Sequence, residues 1–258
     1  MIVQINGIPL HYELSGSGER VLLLHGWGCD LSLMAPVSQR LQDSFQVLSL
    51  DFPAHGQSGR PDEPWGVPEF AECLRALLTQ LSFTPCAVIA HSFGARVAVW
   101  MSAHYPESFT RLVLTGAAGI VPPRSEASRK RGEHYRKLKK IYGGIKNIPG
   151  LSGLADSLLH RAQQKYGSAD YNALDDEMKK TFVKVISLDL SELYPRIVQP
   201  TLLVWGTEDT ETPLWMGEKM EQWIPDAGLV RLEGGTHFAY LEQVERFVLI
   251  VRTFLQGA

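Results

Sequence analysis

Apolar residues fall into short runs separated by segments in which they recur every three to four positions. The runs at 2–5, 8–14, 21–25, 45–51, 86–91, 111–116, 199–206 and 228–233 predict strands. Helical spacing covers 31–43, 68–81, 93–104, 213–223 and 240–256. After an initial hairpin, strand and helix alternate, which predicts an α/β fold with a mostly parallel sheet. Between 117 and 198 the alternation stops, and the segment reads as helix and loop only. It is expected to be a helical lid inserted above the carboxyl edge of the sheet. The expected organisation is a core of 1–118 and 196–258 with a lid or cap of 119–195.

One junction carries chemistry. The apolar run Cys86 to Ala90 leads through His91 and Ser92 into the helical pattern Phe93 to His104. A serine at a sharp strand-to-helix turn has its hydroxyl thrust out above the sheet edge. The first N–H groups of the helix point to the same place. This is the arrangement of a nucleophile elbow, Gly-x-Ser-x-Gly, with Ala90 at the first glycine. A serine here could equally cap the helix; the partners decide.

A hydrolytic serine needs a base, and the base needs an orienting acid, in the order Ser, Asp or Glu, His at such an elbow. His237 lies in Glu233-Gly234-Gly235-Thr236-His237, a loop at the end of a short strand. His134 and His160 fall in charged helical segments and read as solvated. The acid is expected at Asp209, in the loop after the strand 199–206, with Glu208 and Glu211 as rivals. Asp209 is preferred because it holds the acid's place in Gly-x-x-Asp-x-x-x-Pro. The loop Thr115-Gly116-Ala117-Ala118, after another strand, offers no carboxylate. On the acceptor side, His25-Gly26-Trp27-Gly28 ends a buried strand in a glycine-flanked loop. The backbone N–H groups of Trp27 and Phe93 are assigned to an oxyanion hole. His25, Gly26, Trp27 and Phe93 are expected to line the substrate pocket, although the imidazole of His25 reads as a hydrogen-bonded brace.

On these residues the chain resembles the α/β-hydrolase superfamily, of the serine carboxylesterase type, over nearly its whole length. The resemblance rests on Leu24-His25-Gly26-Trp27, on Asp51-Phe52-Pro53-Ala54-His55-Gly56-Gln57-Ser58, on the Ser92 elbow and on the Asp209 and His237 loops. Ala54, Ala90 and Ala95 stand where that family usually has glycine. Relatives that are epoxide hydrolases or haloalkane dehalogenases carry aspartate at the position of Ser92, so those activities are not expected. The resemblance implies an esterase with a Ser92–His237–Asp209 triad, acting without a cofactor; the short chain and single compact lid suit small to medium acyl groups. Within the family, a general short-chain carboxylesterase, a methyl ester esterase acting on a carrier-bound acyl chain, and a C–C bond hydrolase of dienoic diketones all use this triad. A ligand receptor that retains the triad is the alternative from another class.

Composition narrows the rest. The 258 residues, 45% hydrophobic, suffice for one large core. No apolar run approaches a membrane span. Cys29, Cys73 and Cys86 form no CxxC pair, which fits a reducing cytoplasm. No metal constellation is present in the sequence. From Ile120 to Gly150 there are nine Lys and Arg against two Glu, a net of +7 in a chain of −3. There Tyr135, Leu138, Ile141 and Tyr142 form a stripe opposite Arg129, Arg136, Lys137 and Lys140. The bland reading is a solvated lid face. The sharper one is docking of an acidic carrier protein or an anionic surface. The acidic remainder speaks against nucleic acid.

Overall fold

The computed structural model describes residues 1–122, 171 and 174–257. These include eight strands: β1 (Ile2–Ile5), β2 (Ile8–Ser15), β3 (Glu19–Leu24), β4 (Phe45–Leu50), β5 (Cys86–His91), β6 (Phe109–Thr115), β7 (Thr201–Gly206) and β8 (Ala227–Leu232). They form one sheet in the order β1-β2-β4-β3-β5-β6-β7-β8. The pairs β1/β2 and β2/β4 are antiparallel and all others parallel. Each expected strand is present.

Among the described residues the α-helices are α1 (Ala35–Leu41), α2 (Val67–Gln80), α3 (Phe93–His104), α4 (Asp176–Ser187), α5 (Leu214–Trp223), α6 (Ala239–Glu242) and α7 (Val244–Gln256). Two differ from the spacing. The expected helix 31–43 is a 3-10 turn, Leu31–Met34, followed by α1. Pro36 lies in the first turn of α1 because proline has no N–H to give to a preceding turn. The expected helix 240–256 is broken at Gln243, whose φ of −122° and ψ of 45° leave the helical region. Its side chain amide donates to Glu233 O at 2.9 Å.

Side chains alternate across the strands, so each strand feeds two cores. Val21, Leu23, Val47, Ile89, Val113 and Val204 pack with Val37 and Leu41 of α1 and Phe247 and Val251 of α7. Their neighbours Leu22, Leu24, Leu48, Val88, Leu114 and Trp205 pack with α2, α3 and α5 through Phe70, Val97 and Met220. The parallel strands β3 to β7 therefore run mostly buried between two helical layers, with the part-exposed β8 at the sheet's end and all carboxyl ends at one edge.

The chain clusters into two units, Met1–Ile120 with Lys184–Ala258, and Val121–Val183. Leu190, Tyr194 and Ile197 are buried in the core of the first unit, although the sequence put Leu190 and Tyr194 in the lid segment. In the second unit the described residues include the start of α4, where the Asp175 carboxylate accepts from Met178 N–H at 2.8 Å. The basic stripe at 129–142, His134 and His160 lie outside the described residues. Among the described residues no helix is long and apolar enough to cross a membrane.

Candidate active site

The loops that follow β3, β4, β5, β6, β7 and β8 open at the carboxyl edge of the sheet, and each contributes. Ser92 joins β5 directly to α3 with φ +49° and ψ −106°. A non-glycine residue rarely adopts this left-handed region, and such strain concentrates where function requires it. The turn is held from both sides. Ser92 N–H donates to Thr115 O, and Ser92 O accepts from Ala118 N–H, both at 3.2 Å. Gly94 is the tight point: a Cβ there would lie 2.8 Å from His25 O and from Leu24 Cβ. Ala90 and Ala95 are fully buried, and their methyl groups sit within the core. The third departure, Ala54, has φ +66°, where a glycine would be unstrained.

His237 and Asp209 meet across two loops. His237 Nδ1–H donates to Asp209 Oδ2 at 2.9 Å. The Asp209 side chain is fully buried. Its Oδ1 accepts from Glu211 and Thr212 N–H, each at 2.9 Å, and Thr212 Oγ1 lies 2.9 Å from Oδ2. Burial pushes the Asp209 carboxyl up, but the hydrogen bonds from His237 and Thr212 outweigh it and hold it below its ordinary value. Glu208 and Glu211, the rivals, are exposed. Gly116 lies beneath the pair with φ +49°, and a Cβ there would come within 3.1 Å of His237 Nδ1 and 3.3 Å of Asp209 Oδ2. The loop that lacked a carboxylate thus supplies the space for one.

Gly26 faces the elbow: a Cβ on it would lie 3.5 Å from Ser92 Cβ. Phe93 N–H is the first of α3 and has no acceptor within the helix. Trp27 is part-exposed, and its ring meets that of Phe93 edge-on at 5.3 Å. His25 and Phe93 are 0% and 2% exposed, and both side chains pack in the core behind the loop, where Phe93 packs on Phe52 and Phe70 at 5.0 Å each. Phe93 goes inward because the helix start turns its side chain onto α2, leaving its N–H at the edge. His25 Nδ1–H donates to Gly26 O at 2.7 Å, and Nε2 accepts from Phe52 N–H at 3.0 Å. Burial, with the neighbouring His55, lowers its pKa to about 4, so it is a neutral brace.

Three further residues emerge that the spacing did not single out. Thr212 touches Asp209, Gly116 O at 3.0 Å and His237 Nδ1 at 3.2 Å through one hydroxyl. His11 lies 2.8 Å from the Asp51 carboxylate, which also accepts from Leu31 and Gln57 N–H at 2.8 Å. Asp51 thereby ties the loop after β3 to the loop after β4. His91, next to the serine, is buried against His237. Only its position inside the elbow motif hinted at it. Among the described residues no three His, Cys, Asp or Glu side chains gather as a metal site.

Comparison with known proteins adds four likenesses. A family model described as the alpha/beta hydrolase family matches residues 21–248. A pimeloyl-[acyl-carrier protein] methyl ester esterase of Neisseria meningitidis serogroup C is 26% identical over 93% of this chain and 94% of its own. A 2-(acetamidomethylene)succinate hydrolase of Mesorhizobium japonicum is 26% identical over 92% of this chain and 87% of its own. Among solved structures, the enol-lactonase of Burkholderia xenovorans LB400 superposes with a TM-score of 0.76 at 22% identity, covering 100% of both chains.

Proposed function

The chain belongs to the α/β-hydrolase family, and within it we propose a serine hydrolase that cleaves carboxylic esters of small to medium acyl groups. The observation that carries this reading is the left-handed turn at Ser92, at the sheet edge that also bears the His237–Asp209 pair. Ser92 Oγ attacks the acyl carbon while His237 Nε2 takes its proton. Nδ1–H of His237 stays on Asp209, so the imidazolium forms against a buried carboxylate. The N–H groups of Trp27 and Phe93 hold the oxyanion. Collapse sends the proton from His237 to the leaving alcohol. Water then adds to the acyl-enzyme along the same path, the acid leaves, and Ser92 regains its proton.

A narrower reading is a methyl ester esterase of a carrier-bound acyl chain. Two observations favour it: the likeness to the Neisseria esterase, and the net charge of +7 between Ile120 and Gly150, which suits an acidic carrier protein. Both readings are tested on one panel of esters of rising acyl length that includes a carrier-bound methyl ester. A serine-directed fluorophosphonate should label Ser92 alone. Ser92→Ala should lose turnover of every ester while keeping its fold. Ester turnover that survives in the alanine variant would sink the serine reading. Turnover of the carrier-bound ester should fall with added salt while that of a small neutral ester does not, since exposed charges are screened over roughly 8 Å at physiological ionic strength. Equal salt responses would remove the narrower reading and leave the broader one.

A further inference from the structure

We propose that His91 is a positioning residue for the general base: its Nε2–H donates to the backbone carbonyl of His237 and fixes the base over Ser92. The inference rests on the serine-hydrolase reading of the site. His91 Nε2 lies 3.0 Å from His237 O. A carbonyl oxygen can only accept, so Nε2 carries the proton and Nδ1 carries the lone pair. Nδ1 is buried and has no hydrogen-bond partner among the described residues. Nothing around the ring therefore asks for the other tautomer.

The rest of the base loop is fixed elsewhere. Gly235 O accepts from Glu208 N–H, Gly234 N–H donates to Thr207 Oγ1, and Thr236 N–H donates to Glu242, each at 2.9 Å. At the start of α6, Thr236 O accepts from Ala239 N–H, and Phe238 O accepts from Leu241 and Glu242 N–H. His237 O falls between these two anchored segments, and His91 is the donor it receives. The ring is held for this task. It is 1% exposed, its centroid lies 4.7 Å from that of His237 and 4.8 Å from that of Tyr240, and Gly26 leaves the space it fills: a Cβ there would come within 2.9 Å of Nδ1. Burial, with the His237 charge beside it, lowers its pKa to about 3, so the donor persists as a neutral ring. The carboxylate of Asp209 sets the His237 ring from one side; His91 sets its backbone from the other. Loss of the second anchor leaves the base bonded to its acid but free to drift from Ser92, a displacement to which rate is sensitive.

The experiment compares three variants on a small ester. His91→Leu removes the donor at similar volume. Gln can place an N–H near the Nε2 position, whereas Asn is too short. His91→Leu and His91→Asn should lower kcat ten- to a hundredfold with KM within twofold of wild type. His91→Gln should recover kcat to within about threefold. A kcat for His91→Leu within twofold of wild type overturns the proposal, as does a Gln variant as slow as the Asn one. If the leucine variant does not fold, the Gln and Asn pair carries the comparison. A readout on the wild-type protein stands apart from activity. Nitrogen-15 NMR of the ring should show Nε2 protonated and Nδ1 bare from pH 8 to pH 5. The opposite tautomer, or an imidazolium by pH 6, overturns the proposal. Were Ser92→Ala to keep its activity, the serine reading would fall while the NMR result could stand. Were it inactive while His91→Leu kept full kcat, this inference alone would fall.

Discussion

Asp209 accepts two hydrogen bonds on each carboxylate oxygen, and this division decides what an amide in its place would do. Oδ1 takes the N–H groups of Glu211 and Thr212, so the oxygen of an asparagine is held on that side. Its NH2 group then faces His237 Nδ1, which must accept rather than donate. The imidazole is forced into the Nε2–H tautomer and cannot take a proton from Ser92. Asp209→Asn should therefore lose about 10⁴-fold in kcat, the scale set by the triad acid of a serine protease. Glu208→Gln should be near wild type, because that side chain is exposed. Reversed results would show that the acid is Glu208. In sequence only the pattern Gly-x-x-Asp-x-x-x-Pro sets Asp209 apart from Glu208 and Glu211. The structure adds the physical reason: the backbone N–H groups of Glu211 and Thr212 curl back onto Asp209, a turn that spacing alone does not display. The same limit hid Thr212 and His91. Each acts on a residue 25 to 146 positions away, and no local pattern marks such a contact.

At the scale of elements, the central strands were legible because burial on both faces leaves apolar runs bounded by turns. Their carboxyl ends then located Ser92, Asp209 and His237 without knowledge of distances. Helix ends were less legible. Pro36 and Gln243 interrupt segments whose apolar spacing continues through them, so periodicity merges what backbone chemistry divides. The junction of β5 and α3 joins element to site. Helix α3 crosses β3 at Gly94, where the backbone of Leu24 and His25 leaves no space for a side chain. Gly94→Ala should push the start of α3 away from β3, and Ser92 with it. Overpacking of this kind costs about 1–3 kcal/mol. The expected result is a lower urea midpoint together with a lower kcat/KM. An unchanged midpoint would mean that the helix has freedom here that the close approach denies.

For the molecule as a whole, the buried histidines couple stability to pH. His25 and His91 are neutral in the folded protein, with pKa values lowered to about 4 and about 3 mainly by burial. Unfolded, both return to 6.5. Between pH 6.5 and 4 the unfolded chain therefore binds more protons than the native one, and stability must rise with pH across that window. Burial also lowers the pKa of His55, which adds in the same direction. Asp209 acts in a separate range. Its folded pKa lies below 3.8, so its contribution is intact at pH 5 and is lost only as pH falls through that folded value. At about 1.4 kcal/mol for each unit of pH, His25 and His91 should each remove about 2 kcal/mol of stability between pH 7 and pH 5. Urea unfolding at the two pH values would measure the difference, and His25→Asn, which cannot take up a proton, should flatten the slope by one histidine's share. A stability equal at pH 7 and pH 5 would mean that these rings are not held neutral. The edge of the sheet that carries Ser92 and the His237–Asp209 pair is thus braced by imidazoles that the fold can keep neutral only near neutral pH.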